Sequence, residues 1–135
     1  MNDLAVLVVV DANFMTIPAQ FNIDMFLEAE RILERQPEFI LLSSVLDEIE
    51  ALGEGKGLTN RRIFGIARRL AERCTVIESP FPELPVDLQL LMYATSIKGI
   101  LATNDRELRA SARKQGIPVL YLRAKKHLSL EGLIE

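Results

Sequence analysis

Seven consecutive apolar residues, Leu4 to Val10, end abruptly at Asp11. Four of the seven are valine, a β-branched residue that favours strands. An apolar run without alternation is typical of a central parallel strand that is covered on both faces. The run lacks a basic leader and is too short to span a bilayer. The sequence therefore predicts an α/β fold whose first, buried strand is followed directly by a carboxylate.

The rest of the chain alternates between short apolar runs and segments in which apolar residues have helical spacing. With 135 residues, 49% of them apolar, the composition suits one compact domain, which we expect to span residues 1–135. Strands alternating with helices favour a parallel sheet with right-handed crossovers. We predict a three-layer α/β/α sandwich with a mainly parallel five-stranded sheet in the order 3-2-1-4-5. The predicted strands are Leu4–Val10, Phe39–Leu42, Thr75–Glu78, Ile100–Thr103 and Val119–Leu122.

Three helix starts carry residues that often cap helices. Asn22 precedes an apolar helical pattern, and Asn104 precedes another, with Glu107 three residues further on. Ser44 and Asp47 have the spacing of a capping box. We predict that Asn22, Ser44 and Asn104 cap their helices.

Four acidic residues, Asp11, Glu48, Asp87 and Asp105, fall where the chain leaves a predicted strand or enters a predicted helix. Each has a structural explanation when it is considered alone, such as a helix cap for Asp87 or a favourable helix dipole for Asp105. In the predicted strand order, strands one and four are neighbours at the switch point, where ligands bind. Clustered carboxylates repel one another unless a cation neutralises them, and oxygen ligands favour Mg²⁺ or Mn²⁺. Together the four acids predict a metal site for hydrolysis.

The formal net charge is −3, yet the basic residues are concentrated in two segments. Basic segments beside an acidic centre are typical of an enzyme that cleaves a polyanion. The alternative for such helical arginines is an ordinary solvated face. We predict RNA contacts for Lys56, Arg61, Arg62, Arg68 and Arg69. The first segment also contains Arg73, and the second contains Arg106, Arg109, Arg113, Lys114, Arg123, Lys125 and Lys126.

Cys74 is the single cysteine. It cannot form an internal disulfide, so we expect a reducing, cytoplasmic location. Its helical spacing predicts a thiol in the core.

Four short motifs now become recognisable in order: "VVVDAN", "SSVLDEIEAL", "VDLQLLMYA" and "ATNDREL". They resemble the motifs of the PIN-domain nucleases, small metal-dependent ribonucleases related in fold to flap nucleases. The resemblance covers nearly the whole chain, which is similar to small single-domain members such as VapC-type toxins and the rRNA-processing branch. It points to Glu48, rather than Asp47, as the acid of the second motif. One departure is Leu88, where some members have another acid.

The resemblance implies that Asp11, Glu48, Asp87 and Asp105 hold one or two Mg²⁺ or Mn²⁺ ions and that RNA phosphodiester bonds are hydrolysed there. Thr103 and Asn104 lie beside these acids, where a hydroxyl and an amide can orient a carboxylate or a bound water. For Asn104 the simple capping role remains open. A non-catalytic RNA-binding or scaffold domain is the alternative function. The resemblance also leaves open whether the chain is a toxin bound by a small antitoxin protein or an RNA-processing enzyme.

Other enzyme classes find little support in the sequence. His127 is the only histidine, and it lies in no motif of a Ser-His-Asp or Cys-His hydrolase. No dinucleotide-binding or Walker A pattern is present. A phosphate-receiving receiver domain would need an aspartate after the third strand, where Glu78 and Ser79 stand instead.

No membrane partner is predicted, whereas a homodimer is common in the resembled family. Apolar residues before the second strand could supply its interface, although their placement in the core is the simpler interpretation. These residues are Phe14, Met15, Ile17 and Phe21.

Overall fold

A computed structural model describes residues 5–55 and 57–132 of the chain. Its elements alternate between strands and helices, as the sequence predicts. They are β1 (Leu7–Val10), α1 (Ala12–Met15), α2 (Ile17–Phe21), α3 (Met25–Leu33), β2 (Glu38–Leu42), α4 (Ser43–Gly53), α5 (Leu58–Ala71), β3 (Thr75–Ile77), α6 (Val86–Ile97), β4 (Ile100–Ala102), α7 (Arg106–Lys114), β5 (Val119–Arg123) and β6 (His127–Glu131).

The sheet has the order β3-β2-β1-β4-β5-β6. Strand β1 lies at its centre and pairs in parallel with β2 and with β4, while Val8, Val9 and Val10 are fully buried. Helices cover a sheet of this kind on both faces, which explains why the first strand is apolar without alternation. The predicted α/β class and the order 3-2-1-4-5 are confirmed.

A sixth strand, β6, adds an antiparallel edge to the five predicted strands. It pairs with β5 through a hairpin in which Arg123 faces His127. Ala124 and Lys125 occupy the turn with φ of 55° and 58°, a left-handed conformation that usually calls for glycine or asparagine. The sequence prediction missed this hairpin because its turn contains neither residue.

The predicted cap of α3 is wrong. Asn22 ends the preceding helix α2 with a left-handed φ of 54°. Asp24 caps α3 instead, since its Oδ1 accepts hydrogen bonds from the N–H groups of Phe26 and Leu27, both at 3.1 Å. The short helices α1 and α2, which the sequence analysis did not anticipate, move the start of α3 beyond Asn22.

The predicted capping box of α4 is also wrong. The chain passes from β2 into α4 without a connecting residue, so the N-cap position falls on Leu42, and no side chain caps the helix. Ser44 is therefore already inside the first turn, and its hydroxyl donates to Gln89 Oε1 at 2.6 Å. This contact joins α4 to α6.

Apolar residues around α1 and α2 pack in the interior. Phe14, Met15 and Ile17 are fully buried, and the partly buried Phe21 packs against the same core. Core packing is thus the correct interpretation of these residues, rather than a dimer interface. Cys74 is half-buried against this core, and burial raises the pKa of its thiol to about 11. Within residues 5–55 and 57–132, no helix is both long and apolar enough to cross a membrane.

Candidate active site

The ends of β1 and β4 bring two of the predicted acids together. These parallel neighbours pair Val10 with Ala102, and the N–H of Asp11 donates to the carbonyl of Ala102 at 2.9 Å. Because both strands point the same way, Asp11 and the segment from Thr103 to Asp105 lie at one edge of the sheet, here called the carboxyl edge.

Asp11 is a buried carboxylate that accepts three hydrogen bonds. Its Oδ1 accepts from the N–H of Ala12 at 2.8 Å, and its Oδ2 accepts from Thr103 Oγ1 at 2.7 Å and from Asn13 Nδ2 at 3.1 Å. Burial raises the pKa of Asp11, the bonds from Thr103 and Ala12 oppose this rise, and the charges of Asp87 and Asp105 add to it. The carboxylate is firmly held but costly to ionise without a nearby cation.

Thr103 connects the two strand-end acids. Its side chain is fully buried, and its Oγ1 donates to Asp11 while it accepts the N–H of Asp105 at 3.1 Å. One hydroxyl therefore fixes the orientation of the Asp11 carboxylate and the backbone position of Asp105. The sequence predicts that Thr103 orients a carboxylate, and its hydrogen bond to Asp11 is the contact that such a role requires.

Asn104 does not cap α7, so that prediction is wrong. Its Oδ1 accepts the N–H of Leu122 at 2.9 Å, which fastens the end of β4 to β5, and its N–H donates to Asn13 Oδ1 at 3.0 Å. Asp105 is the cap, because its Oδ1 accepts the N–H groups of Glu107 and Leu108 at 2.8 and 3.1 Å. The chain leaves β4 in extended geometry for one residue longer than the sequence suggested, which moves the cap from Asn104 to Asp105.

Glu48 on α4 and Asp87 in the first turn of α6 supply the other two acids. Both side chains are exposed, and both line a pocket of about 450 Å³ together with Asp11 and Asp105. Partial burial raises the pKa of Glu48, with further increases from the charges of Asp11 and Asp87. Partial burial likewise raises the pKa of Asp87, as do Asp105 and Glu107. We call this space the carboxylate pocket.

Several neutral residues complete the carboxylate pocket. Asn60 and Ile63 face it from α5, and Thr16 and Gln20 border it from the segment around α2. None of these four residues was predicted from the sequence. Asn60 offered the clearest signal, since it is a polar residue in the first turn of α5, three residues after Gly57.

Asp47 is exposed and does not line the pocket. Its neighbour Glu48 does, which agrees with the choice that the second motif favoured.

A buried polar cluster holds the helix that carries Asp87. Gln89 is 3% exposed, and its Oε1 accepts hydrogen bonds from the hydroxyls of Ser44 and Ser79, while its Nε2 donates to the carbonyl of Leu84 at 2.7 Å. These bonds tie the start of α4 and the proline-rich segment before α6 to one amide. The position of Asp87 is therefore set by the hydrogen bonds of Gln89, which lies two residues further along the same helix.

The basic residues predicted to contact RNA have different environments in the structure. Lys56 lies outside the described residues. Arg62 Nη1 donates to the carbonyl of Ala19 at 3.0 Å and joins α5 to α2, and Arg68 lies over the ring of Phe64 at 5.9 Å.

Arg61 and Arg69 are exposed on α5. Arg61 follows the pocket residue Asn60, whereas Arg69 lies about 12 Å beyond Arg61 along the helix axis.

The donor set fits a hard divalent cation, although the spacing is open. Within residues 5–55 and 57–132, no three His, Cys, Asp or Glu side chains form a closed metal site. The four acids offer only oxygen atoms, and three of them have pKa values raised in part by the charges of other acids. Mg²⁺ usually retains several waters and binds few carboxylates directly, so an open oxygen-lined pocket suits it.

The fold and the pocket together define a class of protein. Residues 8–125 match the model of the family described as PIN like domain. The chain belongs to this family, and the predicted resemblance to PIN-domain nucleases is confirmed.

Two curated relatives are archaeal ribonucleases. Ribonuclease VapC4 of Methanocaldococcus jannaschii is 27% identical over 128 residues, which cover 94% of this chain and 98% of that protein. Ribonuclease VapC9 of Archaeoglobus fulgidus is 34% identical over 95 residues, covering 70% of this chain and 68% of that protein.

Among solved structures, the PIN domain endonuclease Utp24 superposes with a TM-score of 0.77 and 27% identity, covering 96% of this chain and 93% of that chain. A domain of a protein of unknown function from Methanocaldococcus jannaschii superposes with a TM-score of 0.62 at 18% identity, covering 97% of this chain and 100% of that chain. The second likeness supports the fold alone.

Proposed function

We propose that this protein is a divalent-metal-dependent ribonuclease that hydrolyses RNA phosphodiester bonds in the carboxylate pocket. The observation that carries the proposal is the environment of Asp11, a buried carboxylate repelled by Asp87 and Asp105 and held by Thr103. A protein gains no stability from such an arrangement unless a cation offsets the repulsion. The ribonuclease relatives and the Utp24 endonuclease agree with this interpretation.

Asp11, Asp105, Asp87 and Glu48 are the proposed ligands of one or two Mg²⁺ or Mn²⁺ ions. When held by these residues, such an ion would activate a water for attack and would offset charge on the phosphate. Leu88 follows Asp87 where an additional acid would strengthen a second site, so we expect one ion to be bound more tightly than the other.

The residues of the chain then have distinct roles. Thr103 donates to Asp11 Oδ2 and so orients that carboxylate for binding. Asp105 uses Oδ1 to cap α7, which fixes the direction of its carboxyl group. Asn104 holds the ends of β4 and β5 together, and Asn13 joins Asn104 to Asp11.

The RNA strand is expected to reach the pocket along α5. Asn60 and Ile63 of this helix line the pocket, and Arg61 is exposed beside them. The proposed phosphate contacts on this helix are Arg61 and Arg69. Lys56, which lies outside the described residues, remains a proposed phosphate contact. Arg62 and Arg68 serve mainly in packing, since their guanidinium groups contact Ala19 and Phe64.

The decisive experiment is cleavage of a labelled single-stranded RNA by the wild-type protein, with Mg²⁺ or Mn²⁺ and with EDTA. The Asp11→Asn variant tests the pocket, and Asp47→Asn is its matched control, because Asp47 is an exposed acid outside the pocket. Cleavage that needs the metal and disappears only in Asp11→Asn supports the proposal. RNA binding without cleavage under any metal condition would favour the non-catalytic alternative.

The biological setting is a separate proposal. A toxin would be isolated with a small antitoxin protein that covers the carboxylate pocket, whereas an RNA-processing enzyme would not. Purification of this protein from its source organism, followed by mass spectrometry of the proteins that copurify with it, distinguishes the two.

A further inference from the structure

The hairpin between β5 and β6 ends in an exposed basic turn, here called the hairpin tip and defined as residues 123–126. Arg123, Lys125 and Lys126 all expose their side chains, and Ala124 lies between them. The function proposed above assigns no role to this turn.

The hairpin tip stands at the same edge of the sheet as the carboxylate pocket. Strand β5 runs parallel to β4, so both strands end at the carboxyl edge. Asn104 Oδ1 accepts the N–H of Leu122 at 2.9 Å, which fixes the start of the tip beside the residue that precedes Asp105. Neighbouring strands are about 4.8 Å apart, so β5 lies about 10 Å, or two strand spacings, from β1, and the tip begins two residues, or about 7 Å, further along β5 than the residue level with Asp11.

The charges of the hairpin tip are not neutralised within the part of the chain that the structure describes. Arg109 and Arg113 belong to the same basic segment of the sequence, but they pair with Glu131 at 3.8 and 4.0 Å. No carboxylate among the described residues forms an ion pair with Arg123, Lys125 or Lys126. The second basic segment thus separates into two structural arginines and three available cations at the tip.

The acid in contact with the hairpin close to its tip is already engaged elsewhere. Glu28 Oε1 accepts the N–H of Leu128 at 3.4 Å, and Glu28 also pairs with Arg31 at 3.1 Å. It therefore does not compensate the charge of the tip.

The backbone of the tip forms a tight turn. Ala124 and Lys125 are consecutive left-handed residues that are not glycine, and Lys126 N–H donates to the carbonyl of Arg123 at 3.2 Å to close the turn. Tight hairpin turns use this left-handed geometry, and Lys125 is exposed at the apex of the turn.

We propose that the hairpin tip binds the phosphate backbone of the RNA strand whose scissile bond lies in the carboxylate pocket. This inference rests on the proposed ribonuclease function. The strand would lie between cations on α5 and the three cations of the tip, with the acids between them. Contacts to phosphate would position RNA without selecting its sequence.

The test uses full-length protein with Asp11→Asn, so that RNA is not cleaved. Fluorescence anisotropy measures binding of a labelled single-stranded RNA over a range of KCl concentrations. The test variant adds Lys125→Gln and Lys126→Gln. The matched control adds Lys98→Gln and Lys114→Gln, which remove the same charge from exposed residues at the opposite edge of the sheet.

We expect the hairpin variant to bind RNA roughly tenfold more weakly, with a salt slope lower by about 0.7 for each phosphate that is no longer neutralised, and the control to bind like its parent. Unchanged binding in the hairpin variant, or an equal weakening in the control, would overturn the inference. The comparison needs no cleavage, so it remains decisive even if the wild-type protein proves inactive.

Discussion

The acids at the strand ends and the acids on the helices are held in different ways. Asp11 and Asp105 are fixed by hydrogen bonds from backbone groups and, for Asp11, from Thr103 and Asn13. Glu48 and Asp87 are exposed side chains on α4 and α6. The first pair is organised before any ligand arrives, because its side chains are already ordered.

This difference implies separate roles for the two pairs of acids, one in the position of the metal ion and the other in its affinity. A ligand fixed in advance loses little entropy when it binds a cation, whereas a flexible exposed side chain must be ordered at that moment. The strand-end pair should therefore define where the metal lies, and the helix pair should adjust how tightly it is held.

The sharpest test of this comparison is Asp105→Asn. We expect cleavage to fall roughly 1,000-fold or more, as for other essential groups that act as a unit, and added metal should not restore it. Folding should be almost unaffected, because asparagine caps helices about as well as aspartate. Single-turnover cleavage and thermal melting, measured together, check both expectations. Retention of more than a tenth of the wild-type rate would mean that the strand-end acids are no more important for cleavage than the helix acids.

Removal of the hydroxyl that joins the strand-end acids should have the next largest effect. Thr103→Val keeps the shape of the side chain but leaves Asp11 Oδ2 without its 2.7 Å donor. We expect metal affinity or activity to fall roughly 10- to 100-fold, the usual cost of removing a partner that orients a ligand.

Thr103→Ser retains the hydroxyl and is the matched control. Isothermal titration with Mn²⁺ would show whether the reduction lies in affinity. Equal behaviour of the valine and serine variants would mean that the hydroxyl does not orient Asp11.

The helix acids should give smaller and recoverable losses. We expect Glu48→Gln and Asp87→Asn each to lower the cleavage rate roughly tenfold at limiting Mg²⁺, because one adjustable ligand is removed. Raising the Mg²⁺ concentration should restore most of the rate. Metal titrations of the rate, with Asp47→Asn alongside, provide the measurement. A loss that excess metal cannot repair would place these residues with the strand-end pair.

The smallest expected effect is on stability as a function of pH. The pKa values of Asp11, Glu48 and Asp87 are raised in the folded protein, so their ionisation destabilises the fold. This penalty is complete above the folded-state pKa values and fades as the pH falls toward the unfolded values of roughly 4.

Metal-free protein should thus melt at a higher temperature at mildly acidic pH than at neutral pH. Asp11→Asn should reduce the difference, and Mg²⁺ should stabilise the protein more at neutral pH. Thermal melts in EDTA and in Mg²⁺ across this range would check the sign. A metal-free protein that loses stability steadily on mild acidification would contradict the raised pKa values.

The main features of the fold could be predicted because they depend on strong patterns. An apolar run such as the one that ends at Val10 is best buried at the centre of the sheet of an α/β protein, and β1 lies there. The four motif acids then reach one pocket because parallel strands end at a common edge.

The helix caps that were wrongly predicted depend on the exact residue at which a helix begins. Asn22, Ser44 and Asn104 are all good capping residues, but tertiary contacts placed the caps elsewhere or engaged the side chain in another bond. Residue preferences cannot show that Ser44 would bond to Gln89, which lies 45 positions away.

The bond between Thr103 and Asp11 has a consequence for biosynthesis. The two residues are 92 positions apart in the chain, so a nascent polypeptide that ends within α6 contains Asp11 without either Thr103 or Asp105. Contacts between such distant segments form only after a long loop has closed. A ribosome that is still translating this protein therefore carries an incomplete carboxylate pocket until synthesis has passed β4.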